Sequence, residues 1–295
     1  MKRCKQDKIF LAIITVFAVL QMVLLLVPFI WVVMQSLNTY YKYLLDPFSF
    51  PDIAGAGFKN YAQALKNMNI EVYEEGRGLI RYNIVSMTMF SFVIAFFSPL
   101  ISTTVTMLLS YIVCKYSHWK ICKIIYAVNL FTMILPIYGS LPSALMIHKA
   151  LGTYNNLVPF LLVGSTGLGM NLILFYGAFK GLPNEYKEAA TLDGAGHYTV
   201  MFKIYLPMIF PLFAAVFLLA FMGSWNDYMI NVTWLPSYPN LAYGVFMYQE
   251  RATLMGASVP ELLAGLVALA IPSIILWTAS QKLISSKMAI GGLKG

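Results

Sequence analysis

The run Glu188-Ala-Ala-Thr-Leu-Asp-Gly-Ala-Gly196, continuing to Ile204-Tyr-Leu-Pro207, is a polar island in an otherwise lipid-soluble chain. Its residue types suit contact rather than bond making. Pro183-Asn184 can start a helix, with Asn184 at the N-cap. Glu185 and Glu188 then fall in the first turns, where carboxylates favour the helix dipole. Ala189 and Ala190 are small, so a second surface can approach closely. Asp193-Gly194 ends the helix, because glycine readily takes the left-handed position after a C-cap. Residues from His197 to Tyr205 can form a second helix leading to Pro207. The expected product is a short helix with an exposed carboxylate and a small-residue surface, joined closely to a long apolar helix.

Other chemistry is missing from the chain. No Gly-x-x-x-x-Gly-Lys-[Ser/Thr] phosphate loop is present. The run Gly164-Ser-Thr-Gly-Leu-Gly169 lies in an apolar stretch with no lysine after it, and reads as small residues for close helix approach. His118, His148 and His197 are far apart in sequence, and Cys4, Cys114 and Cys122 fit no zinc or redox spacing. No Gly-x-Ser-x-Gly elbow occurs. The apolar runs hold essentially no ionisable residues, which a proton-coupled carrier would place there. The chain is therefore expected to be no enzyme, and to hold no metal or cofactor of its own. If it moves a solute uphill, a partner supplies the work.

The elements that position the polar island follow from composition. Of 295 residues, 59% are hydrophobic and 11% charged, against about 25% charged in soluble domains. The apolar runs have helix length rather than the alternation of barrel strands. The class expected is an all-α membrane protein with six transmembrane helices. The spans run 9–35, 84–114, 124–147, 157–179, 207–223 and 261–277, each nearly free of charge. Residues 1–8 are a basic N-terminus and 278–295 a basic tail. Residues 36–83 form a first outer loop, in which Phe58, Tyr61, Ala62 and Leu65 have the spacing of a short amphipathic helix. Residues 180–206 hold the polar island, and 224–260 form a second, aromatic outer stretch containing Trp225, Asn226, Asp227 and Tyr228. Thirteen of the twenty Lys and Arg fall on one set of connections, which places both termini in the cytoplasm. The net charge of +8 sits at the ends of apolar runs, where it serves topology and lipid contact rather than nucleic acid.

Glu188-Ala-Ala-x-x-Asp193-Gly-Ala195, followed by Phe202-x-Ile204-x-Leu206-Pro207, resembles the EAA loop of ATP-binding-cassette importer permeases. Trp225-Asn-Asp-Tyr228, Leu135-Pro136-Ile137-Tyr138, Leu151-Gly152 and the terminal Gly291-Gly-Leu-Lys-Gly295 resemble the MalG-type permeases of carbohydrate importers. The resemblance implies a type I importer permease fold, with residues 84–295 as the permease core, in a bacterial cell membrane. It also implies partners: a second, MalF-like permease subunit, two cytoplasmic ATP-binding subunits that hold ATP and Mg, and an extracytoplasmic solute-binding protein. Glu188, Ala189, Ala190, Asp193, Gly194 and Ala195 would then form the helix that docks in the ATPase. Phe202, Ile204, Leu206 and Pro207 would support it. Gly291, Gly292, Lys294 and Gly295 would reach the ATPase interface, and Trp225, Asn226, Asp227 and Tyr228 are candidates for the translocation path or outer gate. The expected cargo is a sugar or oligosaccharide. The alternative is a non-sugar solute such as a polyamine or ion, since the loop is shared across importers. The charged segment 70–81 departs from the pattern; it either tunes the contact with the binding protein or caps the outer face.

Overall fold

A computed structural model describes residues 5–291 apart from 75, 77, 136–139, 164–166 and 256–257. The chain divides into two compact units, residues 1–69 with 245–271 and residues 70–244 with 272–295.

In the first unit, α1 (Lys5–Ser36) is apolar all round, and its large side chains from Phe10 to Ile30 are exposed. Lipid tails are as apolar as these side chains, so such a surface is at no disadvantage in a bilayer. Polar bonds fix the end of the helix: Trp31 Nε1 donates to the Pro47 carbonyl at 2.7 Å, and Asn38 Nδ2 to Gln35 Oε1 at 2.7 Å. Next come α2 (Tyr40–Leu45) and α3 (Lys59–Asn67). The spacing of Phe58, Tyr61, Ala62 and Leu65 suggested one apolar face for this helix. The structure instead buries Asn60 and Ala64, while Phe58 and Leu65 stay exposed. Asn60 decides the orientation by donating to the carbonyls of Ser36 and Asn38, at 2.9 and 2.8 Å.

The second unit opens with an antiparallel hairpin, β1 (Ile70–Glu74) and β2 (Gly78–Tyr82), a departure from an all-helical chain. Apolar and charged residues alternate here, so Ile70 is buried while Glu71 faces Arg81 across the strands. The helix α4 (Ile84–Lys115) follows, started by Asn83, whose side chain accepts from the Ser86 N–H at 3.0 Å.

The stretches expected as spans over 124–147, broken by Pro136 and Pro142, and over 157–179 are each two helices. The first pair is α5 (Lys120–Ile134) and α6 (Leu141–Ala150). Leu135 takes an extended conformation because the proline after it disfavours helix. The second pair is α7 (Leu157–Val163) and α8 (Met170–Lys180). Gly167 and Gly169 between them have φ of +68° and +119°, outside any right-handed helix. Gly167 also lies so near α4 that an added Cβ would stand 3.1 Å from Val105 Cγ1 and 3.2 Å from Leu109 Cδ2.

The polar island forms α9 (Glu185–Leu192) and α10 (His197–Val200). A π-helical turn, Met201–Tyr205, joins α10 without a break to α11 (Leu206–Trp225). Pro207 has no N–H and its ring crowds the carbonyl four residues back, so a widened turn just before it relieves both problems. The chain continues through α12 (Met229–Thr233), α13 (Leu241–Met255) and α14 (Val259–Gly291). Among the described residues, four stretches are long and apolar enough to cross a membrane: Phe10–Ser36, Ile84–Lys115, His197–Trp225 and Val259–Ala279.

Candidate functional site

The polar island rests on one end of the second unit. Tyr111 of α4, Phe175 and Phe179 of α8, and Val200, Tyr205 and Ile209 around the π turn form a buried cluster there. The Tyr111 ring meets Phe179 edge-on at 5.4 Å and lies 5.9 Å from Tyr205. Ser110 Oγ donates to the Leu172 carbonyl at 3.1 Å and so ties α4 to α8. Against this base, Ala190 and Ala195 turn inward and pack on the cluster. Glu185, Glu188, Ala189 and Asp193 are exposed. The two alanines of the motif thus face different ways.

The bend after α9 is hydrogen-bonded at both positions that matter. The Gly194 N–H donates to the Thr191 carbonyl at 3.0 Å and the Ala195 N–H to the Ala190 carbonyl at 2.9 Å. This is the paired closure of a Schellman motif, and Gly194 supplies its left-handed residue with φ +80°. An added Cβ on Gly194 would meet nothing within 4 Å, so glycine is required by its backbone angle and not by crowding. Asn184 precedes the helix, but its side chain makes no cap bond. Its carbonyl accepts from the N–H groups of Lys187 and Glu188, at 2.9 and 3.0 Å.

Around Glu188 the surface has an unusual mixture. Leu192 is 89% exposed and Tyr198 80%, with Tyr186 and Phe202 also open. Beside them lies an open depression of about 850 Å³, lined by Lys115, Lys180, Lys187 and Glu188 among others. Of the expected supporting residues, Leu206 packs on the cluster, Ile204 is half-buried, and Phe202 and Pro207 are exposed. Sequence reasoning missed Tyr205, which is fully buried and takes Lys115 Nζ over its ring at 4.3 Å. Its four-residue spacing from Ile209 could have found it.

At the other end of α11, Trp225 is only 3% exposed and stacks on Phe221 with centroids 5.9 Å apart. Its ring is a packing element in this conformation. Asn226 Nδ2 donates to the Met222 carbonyl at 2.8 Å, and Asp227 Oδ1 accepts from the Met229 N–H at 2.9 Å. Tyr228 precedes α12. Two asparagines outside the motif hold this corner together. Asn231 Nδ2 donates to the carbonyls of Leu235 and Tyr238, and Asn240 Nδ2 to that of Asp227. Gly291 closes α14, whereas Gly292, Lys294 and Gly295 lie outside the described residues, as do Pro136, Ile137 and Tyr138.

Comparison with known proteins agrees with this architecture. Residues 2–290 match the family described as binding-protein-dependent transport system inner membrane component. The diacetylchitobiose uptake system permease protein NgcG of Streptomyces coelicolor is 27% identical over 294 residues, covering 97% of this chain and 89% of that protein. The maltodextrin transport system permease protein MalD of Streptococcus pneumoniae is 34% identical over 154 residues, about half of each chain. A chain of a bacterial ABC transporter that imports the acidic polysaccharide alginate superposes with a TM-score of 0.72, at 20% identity, over 96% of this chain and 99% of that one.

Proposed function

The chain belongs to the family of binding-protein-dependent transport system inner membrane components, and from that premise we propose that it is one permease subunit of an ATP-driven importer for a sugar or oligosaccharide. Relatives whose names state diacetylchitobiose and maltodextrin as cargo support the carbohydrate reading. In this reading the chain crosses the membrane six times with both termini in the cytoplasm. The broken segments α5–α6 and α7–α8 provide the two spans that are not single long helices. A second, related permease completes the pathway, and two cytoplasmic subunits bind ATP and Mg. A solute-binding protein delivers cargo to the far side, where residues 36–83 and 224–260 meet it.

One observation carries the docking assignment: α9 presents Glu188, Ala189 and Leu192 outward while Ala190 and the Gly194 bend fix it to the helix ends beneath. Exposed apolar groups beside charge on a rigid element suit a protein interface. Driving a two-state change from 1:99 to 99:1 takes about 5.5 kcal/mol, whereas an exposed ion pair supplies about 0–1 kcal/mol. Glu188 therefore orients the docked helix, and ATP-driven closure of the partner does the work as the cavity changes sides. The tail from Gly291 to Gly295 adds a second contact with the ATPases.

The test is uptake into vesicles holding the assembled transporter, beside its ATP hydrolysis. Glu188→Lys, and Gly194→Val through its backbone angle, are expected to cut uptake at least about tenfold, equal to about 1.4 kcal/mol of lost coupling. Membrane insertion should be unchanged. Undiminished uptake and ATPase stimulation in both variants would reject α9 as the coupling helix.

A further inference from the structure

Behind the coupling segment lies a second, more enclosed pocket of about 270 Å³. It sits between the end of α4, the turn at 116–119, α9 and the π turn. Lys115, Lys187, His118, His197, Trp119 and Tyr205 are among its lining residues, and none of the described side chains lining it is acidic. Lys115 and Lys187 also border the open depression outside, so the two spaces share their cations. The Tyr205 hydroxyl is fully buried and has no hydrogen-bond partner. A buried hydroxyl without a partner is an uncommon arrangement that calls for a ligand or an explanation. Nothing in the docking of α9 uses it.

We propose that this pocket binds a phosphate group, held by Lys115 and Lys187 with the Tyr205 hydroxyl and the two imidazoles as further donors. Two ammonium groups with no carboxylate among them favour an anion, and charge-assisted bonds to phosphate oxygens are the strong kind. Liquid water takes about 30 Å³ per molecule, so the pocket has room for about nine waters, or for one phosphoryl group with a few. Among the described residues lining the two spaces, Glu188 is the one carboxylate; it borders the outer depression, and its charge reaches Tyr205 and so opposes the bound anion. The phosphate comes either from the headgroup of an anionic lipid at this end of the spans or from a soluble phosphorylated compound. Because Lys187 lies on α9, occupancy would brace that helix against α4 and so set how firmly it transmits movement.

Binding is measured directly, so its outcome stands apart from the docking assignment above. The full chain is placed in phosphatidylcholine nanodiscs and titrated with radiolabelled inorganic phosphate. In a second arm the discs contain a minor fraction of phosphatidylglycerol, and retained lipid is counted by native mass spectrometry. Saturable binding of one probe is expected, weakened about tenfold by Lys187→Gln and by Lys115→Gln. Tyr205→Phe, which keeps the ring under Lys115, should weaken it less. Lys66→Gln, on the exposed side of α3, should leave it unchanged. The probe that binds names the source. Failure of both probes to saturate, or an equal loss with Lys66→Gln, overturns the proposal; since Lys187 is exposed, its variant stays informative even if Lys115→Gln does not fold.

Discussion

Asn129 shows how much one side chain can do for a broken helix. It is fully buried in α5, accepts from the Gly169 N–H at 2.6 Å and donates to the Gly169 carbonyl at 3.3 Å. The gap between α7 and α8 leaves the Gly169 N–H to Asn129, whereas its carbonyl also accepts from the Leu172 N–H at 3.2 Å, and water cannot reach the N–H in lipid. Asn129→Ala is expected to orphan that N–H at a cost of about 1–3 kcal/mol, visible as a lower unfolding midpoint of the purified protein in detergent. This residue was not legible in the sequence. A lone asparagine in an apolar run resembles a tolerated polar residue, and its partner is forty positions away. Gly194 was legible, because Asp-Gly after a short helix has a local meaning that needs no distant partner. Tyr205 fell between these cases: its burial follows helical spacing, but its unpartnered hydroxyl depends on what surrounds it.

Among the elements, α3, α13 and α14 meet through a polar contact on the first unit. Asn67 Nδ2 donates to Glu261 Oε1 at 3.0 Å, and the Tyr248 hydroxyl donates to the same oxygen. Arg251 Nη1 adds a bond to the Asn69 carbonyl at 3.0 Å. Burial, then the bond to Glu261 and that group's charge, raise the Tyr248 pKa above its ordinary 10.0. The folded chain thus keeps a proton that the unfolded chain releases. The stabilisation is complete below pH 10.0 and is lost as pH rises towards the folded value. Tyr248→Phe should lower stability at neutral pH by about 1.5–3 kcal/mol, the range for a bond to a charged group. It should also flatten the decline above pH 10.0, so that parent and variant unfolding midpoints converge in alkali. Element boundaries were legible where prolines, glycines or caps mark them, as at Asn83 and Leu135. The hairpin was not, because three acids and two arginines between Ile70 and Arg81 read as a charged loop. The pairing of Glu71 with Arg81 converts that charge into a strand register.

At the scale of the whole molecule, the six crossings proposed above make a prediction about sidedness. Reporter tags inserted after Ser117, within 193–196, and after Ala279 should all read as cytoplasmic. Tags at Asn155 and Ser237 should read as external. The bond from the Asn155 side chain to Ser237 Oγ at 2.9 Å, and that from the Ser237 N–H to Asn155 Oδ1 at 2.9 Å, require these two sites to share a side. Opposite labelling of Asn155 and Ser237 would contradict both the bonds and the crossing number. The membrane class and basic bias could be read from composition alone, since both are sums over many residues. The division of 157–179 into two helices could not, since it depends on which neighbours satisfy the freed backbone groups.

The widened turn at Met201–Tyr205 has a mechanical meaning. Relative to an α-helix it is a dislocation: one residue too many for the pitch, stored without interrupting the rod. Each residue of an α-helix advances the rotation by about 100°. If the dislocation slipped one turn further into α11, every side chain it passed would swing by that angle, with no hydrogen-bonded segment having to melt. Tyr205, which packs on Tyr111 of α4, would then leave that face. In the docking proposed above, a screw of this kind would turn a push at α9 into a change of which residues line the membrane helix.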